Sequence, residues 1–163
     1  MLQALKLDHN AVAVYARAAK GETDIVGIEE QVRECRTAIN RNGVKLKKDL
    51  IFVDEGQPGT SLDRPALSQL RQSVKEGTVS AVFVWRLDRL SRSVLDCVSL
   101  VRREWGKKCV LVSVSDDFHT GGPSGERVFG ILQRFIEAEA PSLEVLEEIA
   151  SLQPRHRSAG RGR

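Results

Sequence analysis

Cysteine is scarce in this chain of 163 residues. Cys35, Cys97 and Cys109 form no close pair, and an odd number cannot complete a set of internal disulfides. None sits at metal-ligand spacing, and His9, His119 and His156 are scattered, so the pattern predicts no metal site. Long apolar runs are missing too: no stretch approaches the roughly 20 residues that a membrane-spanning helix needs. The opening MLQALKLDHN lacks the apolar middle of a signal peptide. Together these absences predict a chain at home in the reducing cytoplasm, away from the membrane. Nor does one sign of charge prevail. Twenty-five Lys and Arg stand against 22 Asp and Glu, a formal net charge of +3, which by itself argues only weakly for a polyanionic partner.

What the chain does have is alternation. Four short valine-rich runs, AVAVYA at 11–16, LIFV at 50–53, AVFVW at 81–85 and VLVSV at 110–114, read as buried strands. Between them lie helical patterns. Ile25, Ile28, Val32, Cys35 and Ile39 recur at steps of three and four, and Asn42-Gly43 stops that helix. A second runs over 64–77, with Pro65 just inside its start and Gly77 just past its end. Val94, Cys97, Val98, Val101 and Trp105 give a third apolar face, and Val128, Ile131, Leu132, Phe135 and Ile136 a fourth. Strand–helix alternation of this kind predicts an α/β fold: a mainly parallel sheet of about four strands flanked by helices, with its site at the carboxyl ends of the strands.

That rule singles out the segments after each strand, and three of them are rich in arginine. Arg17 follows the first, Arg64 lies in DEGQPGTSLDR after the second, and Arg89 and Arg92 lie in RLDRLSR after the third, beside Asp54 and Asp88. Several guanidinium groups around one point repel one another unless an anion joins them, and their forked donors match phosphate oxygens. The segment RAAKGETD holds one glycine and neither a GxGxxG nor a GKS/T motif, so no backbone phosphate cradle is indicated. Side-chain arginines are left as the anion handlers. Taken singly, Asp88 with Arg89 or Arg92, and Asp63 with Arg64, read better as surface ion pairs; four arginines at strand ends shift the balance toward an anion site.

VYARAA, IEEQ, VDEGQPGTSLDRPAL and above all VWRLDRLSRS resemble the catalytic domain of the serine recombinases, the resolvase and invertase family with its large integrase relatives. The likeness covers residues 11–139. It implies a resolvase-like catalytic domain with a C-terminal oligomerisation helix, acting on DNA through dimers and synaptic tetramers. It also implies cleavage by a serine that forms a 5′-phosphoserine linkage, with no cofactor and no metal. Carried over residue by residue, Arg17, Arg64, Arg89 and Arg92 match the family's active-site arginines. Tyr15, Gln31, Asp54 and Asp88 match its supporting polar residues, and Glu139 falls where the family has a glutamate on its long helix.

The position that matches the nucleophile is Ala19, and a methyl group cannot attack phosphorus. Thr23, Ser61 and Ser91 are the nearby hydroxyls, and a displacement of about 1 Å already costs on the order of a hundredfold in rate. Two further departures accompany it: Pro58 stands for a serine in the DEG segment, and Ala140 for an arginine after the glutamate. Pro141 then breaks the helix, so the reading divides the chain into an extension at 1–10, the catalytic domain at 11–139, a helix at 140–153 and a basic disordered tail at 154–163. The sequence therefore predicts a recombinase catalytic domain that binds DNA and cannot cleave it. Two alternatives accompany this reading: a non-catalytic partner of an active recombinase, and a flavodoxin-like domain binding a small phosphorylated ligand. Trp85 and Trp105 are expected in the core.

Overall fold

The computed structural model describes residues 12–21 and 26–137. Five strands form one sheet in the order β2-β1-β3-β4-β5. They are β1 (Val12–Ala18), β2 (Ile51–Glu55), β3 (Ala81–Val84), β4 (Val110–Ser113) and β5 (Phe118–His119). The first four run parallel; β1, β3 and β4 are buried on both faces, as their apolar runs predict, while β2 at the sheet edge exposes Val53 and Glu55. The fifth is antiparallel to β4, pairing His119 with Val112 and Phe118 with Ser113. It is one strand more than the sequence suggested. Two residues inside the polar stretch SDDFHT leave no apolar run to read.

Alternate residues of the strands feed two cores. On one face Val12, Val14, Ala81, Phe83 and Val112 pack with Cys35, Ala38 and Ile39 of α1 (Ile28–Arg41). On the other, Ala13, Tyr15, Val82, Val84 and Leu111 meet Leu67, Leu70 and Val74 of α2 (Pro65–Lys75). The same core takes in Leu90 of the single-turn α3 (Leu87–Leu90), Cys97 and Val98 of α4 (Val94–Val98), and Phe129 of α5 (Pro123–Glu137). Pro65 opens α2, and Gly77, at φ +77°, takes up the left-handed turn beyond its end. The third helical pattern is two elements in one. α4 passes directly into a π-helical segment, Ser99–Trp105, that buries Leu100, Val101 and Trp105, while Val94 at its start lies exposed.

The sheet order fixes where a site can form. From β1 the chain goes to β2 on one side, and from β2 it crosses to β3 on the other, so the connections part at the carboxyl ends of β1 and β3. A crevice opens at such a switch point in doubly wound folds. Both β1 and β2 also run further than their apolar letters show. Arg17 and Asp54 are paired strand residues in register, not the first residues of loops.

Candidate functional site

Arg17, the last residue but one of β1, has its side chain wholly buried. Its Nε donates to the Arg89 carbonyl at 3.3 Å, Nη1 to the Gln57 carbonyl at 2.9 Å and Nη2 to the Asp88 carbonyl at 3.3 Å. One guanidinium thus fastens the loop after β2 and the turn after β3 to the end of β1. Gln31, buried in the first turns of α1, secures the backbone at the same point. Its Oε1 accepts from the Arg17 amide at 3.3 Å, and its Nε2 donates to the Arg17 carbonyl at 3.0 Å and the Val26 carbonyl at 3.1 Å.

Arg64 lies behind Arg17, 1% exposed. It donates to the carbonyls of Arg89, at 3.4 Å, and Leu90, and its Cζ stands 5.4 Å from the centre of the Tyr15 ring. Among the described residues its buried Nε finds no acceptor. Arg89, 2% exposed, is held by Asp88, with Nη2 2.8 Å from Oδ2. Arg92 is exposed, and its amide donates to the Gly59 carbonyl at 3.0 Å. Gly59 packs so closely that a Cβ there would come within 2.9 Å of Arg92 Cγ and 3.0 Å of Arg17 Nη2. Burial, with the charges of Arg89 and Arg92 next, holds the Arg17 guanidinium below the usual arginine range, and burial does the same to Arg64. The four arginines therefore share one end of the sheet, and each of the three buried ones donates to oxygen acceptors there.

Asp54 sits between this cluster and α2. Its Oδ1 accepts from the Ala66 amide at 2.9 Å, and its Oδ2 accepts from the Leu67 amide at 3.0 Å and the Tyr15 hydroxyl at 2.8 Å. A carboxylate on the first amides of a helix is favoured by the helix dipole and satisfies donors with no partner inside the helix. Burial pushes the Tyr15 phenol up against the pull of Arg64, and the bond to Asp54 adds to the rise. The folded state keeps a proton that the unfolded chain releases near pH 10, so this contribution to stability is whole below that pH and is lost as pH rises beyond it. Tyr15 is the chain's single tyrosine. Tyrosinate absorbance is expected to appear near pH 10 in the denatured chain and at clearly higher pH in the folded one; coincident titrations would refute the buried bond.

A family model for the resolvase N-terminal domain matches residues 12–153. The chain belongs to that family. The resolvase domain is 32% identical over 125 residues to the transposon Tn3 resolvase of Escherichia coli, an alignment covering 77% of this chain and 61% of the relative. It is 29% identical over 113 residues to the DNA-invertase of Escherichia phage P1, covering 69% of this chain and 59% of the relative. The chain thus spans under two thirds of the length of each. Among solved structures, the N-terminal catalytic domain of TP901-1 integrase superposes with a TM-score of 0.72 at 28% identity, over 78% of this chain and 94% of that one.

Within the resolvase domain, Ala19 follows β1 directly, half-buried beside Arg17. Two nearby hydroxyls, Ser61 and Ser91, are engaged in turns. Ser61 Oγ accepts from the Asp63 amide, and the buried Ser91 Oγ accepts from the Ser93 amide, each at 3.0 Å. Thr23, Glu139, Ala140 and Pro141 lie outside the described residues. Trp105 is buried as expected, but Trp85 is half-exposed, with the Cζ atoms of Arg86 and Arg89 at 5.6 and 5.8 Å from its ring. Among the described residues, no helix is long and apolar enough to cross a membrane. No group of three or more His, Cys, Asp or Glu there could hold a metal ion.

Proposed function

We propose that this resolvase domain is the catalytic domain of a site-specific DNA recombinase whose arginine cluster receives the DNA backbone, and that Ala19 leaves it able to hold DNA and unable to cut it. One observation carries the reading: Arg17, Arg64, Arg89 and Arg92 gather at the β1/β3 switch point, with Arg17 two residues before Ala19. A phosphodiester resists nucleophiles because it is already negative, and fixed cations lower that barrier by stabilising the charge that develops at phosphorus. In this reading Arg17 and Arg64 supply fixed positive potential from behind a screen of carbonyls, Arg89 adds to it beside Asp88, and exposed Arg92 meets the phosphate itself. A serine at position 19 would attack phosphorus and form the phosphoserine linkage; alanine carries no oxygen for the bond.

Such a domain acts in the cytoplasm, where the DNA is, and assembles in dimers and tetramers through its C-terminal helix. The presence of Ala19 beside a complete arginine cluster favours a second reading as well. A copy that holds DNA without cutting is suited to join an active recombinase and restrain it.

Titration of a mixed-sequence duplex oligonucleotide at several salt concentrations tests the proposal. Binding is expected to weaken linearly in log–log form, and Arg92→Ala to reduce the slope by about 0.9, the value for one phosphate contact. A denaturing gel is expected to show no covalent adduct. Absence of binding at low salt would overturn the DNA reading, and an alkali-labile adduct would overturn the inactivity.

A further inference from the structure

The turn after β3 carries Asp88, Arg89 and Arg92, and its own backbone bonds are few: the Arg89 amide donates to the Arg86 carbonyl at 3.0 Å and the Ser91 amide to the Leu87 carbonyl at 3.2 Å. α3 has four residues, and its N-cap, Arg86, makes no side-chain capping bond. A single helical turn has almost no stability of its own. On one side it is held by Arg17 and Arg64, which donate to the carbonyls of Asp88, Arg89 and Leu90.

On the other side stands Asp116, in the turn between β4 and β5. Beyond the ends of β3 and β4 the ladder continues, with the Val114 amide donating to the Val84 carbonyl at 3.0 Å and the Ser115 amide to the Trp85 carbonyl at 2.8 Å. The next tie is made by a side chain. The Leu87 amide, at the start of α3, donates to Asp116 Oδ2 at 3.0 Å. That same oxygen accepts from the hydroxyl of Ser113 at 2.5 Å, and Ser113 is wholly buried in β4. A carboxylate anchored to a buried strand residue thus ties down the entry of the turn that presents the arginines.

We propose that Asp116 is a positioning residue for the arginine cluster, acting through the Leu87 amide and held in place by Ser113. Removing it frees the start of α3, lets the carbonyls of Asp88 and Arg89 move, and loosens the guanidinium of Arg17 that they hold. The consequence for DNA rests on the function proposed above; the placement of Arg17 does not.

Two measurements separate these. The first is hydrogen exchange of the Arg17 Nε proton, read from arginine side-chain signals by NMR well below the melting temperature. Asp116→Ala is expected to speed it on the order of tenfold, the equilibrium equivalent of one hydrogen bond to a charged group. Asp116→Asn, which keeps an oxygen at the same place, is expected to restore much of the protection. Ser113→Ala is expected to fall between, and it serves if Asp116→Ala fails to fold. Arg71→Ala, which breaks the exposed pair with Glu104, controls for general destabilisation and is expected to leave the exchange unchanged. Unaltered exchange in folded Asp116→Ala, or an Asn variant no better than Ala, would overturn the proposal. The second measurement is affinity for the mixed-sequence duplex, expected to fall in Asp116→Ala in step with the exchange. If the unmodified chain binds no DNA, the functional reading fails while the exchange result still decides the role of Asp116.

Discussion

Asp54→Ala is expected to lower the free energy of unfolding by about 3–5 kcal/mol, the range for removing one partner from a buried charged network. The carboxylate is 3% exposed and accepts three hydrogen bonds, from the Tyr15 hydroxyl and the Ala66 and Leu67 amides. Alanine would strand all three donors in a place water does not reach. It would also take a favourable negative charge from the buried Arg64 guanidinium. For a chain of this size each kcal/mol is worth about 2–4 °C in melting temperature, so a fall of roughly 10 °C is expected. Tyr15→Phe removes a single donor and should cost about 1 kcal/mol. Thermal or urea melts check both, and a loss under about 1 kcal/mol for Asp54→Ala would show that the network is not closed as described.

Gly59→Val is expected to abolish DNA binding while leaving a folded chain. The residue is buried between Arg17 and Arg92, and its backbone is already tied to the segment after α3: its carbonyl accepts from the Arg92 amide at 3.0 Å and from the Ser91 hydroxyl at 3.5 Å. A first side-chain carbon would press on Arg17 Cζ at 3.1 Å as well as on Nη2. Arg17 cannot swing aside, because three carbonyl bonds hold it. Overpacking of this kind costs about 1–3 kcal/mol, which a domain of ordinary stability survives. Exposed Arg92, however, would be forced away from Arg17 at the point where the proposed phosphate lies. Circular dichroism should report the fold and oligonucleotide titration the loss of binding; a variant that binds as the parent does would place the DNA elsewhere.

Much of the architecture was legible in the sequence because buried parallel strands are written as runs of valine, and α2 is bracketed by Pro65 and Gly77. The strand ends were not. Arg17 and Asp54 look like loop residues to any reading based on hydropathy, yet they continue the ladder because their polar atoms find partners in the fold. β5 was hidden for a related reason: its pairing is made by backbone groups under a polar sequence. At the site, the arginine cluster followed from strand-end placement and from motif resemblance. Its use of carbonyl oxygens did not, since every residue owns a carbonyl and no letter marks the one that will be used. Asp116 escaped notice for the same reason, as its partner is an amide 29 positions away.

The threefold grip of Arg17 on the backbone sets an asymmetry in how such a domain can change. Exchange of a hydroxymethyl for a methyl at position 19 leaves the three carbonyl ties of Arg17 in place, so in the proposed reading cleavage is lost while the molecule stays intact. The positive charge has no such freedom, because deleting it would also unpin the segments on either side. In the proposed reading, cleavage is the detachable property of this domain, while the positive charge that would hold a polyanion is welded to its architecture.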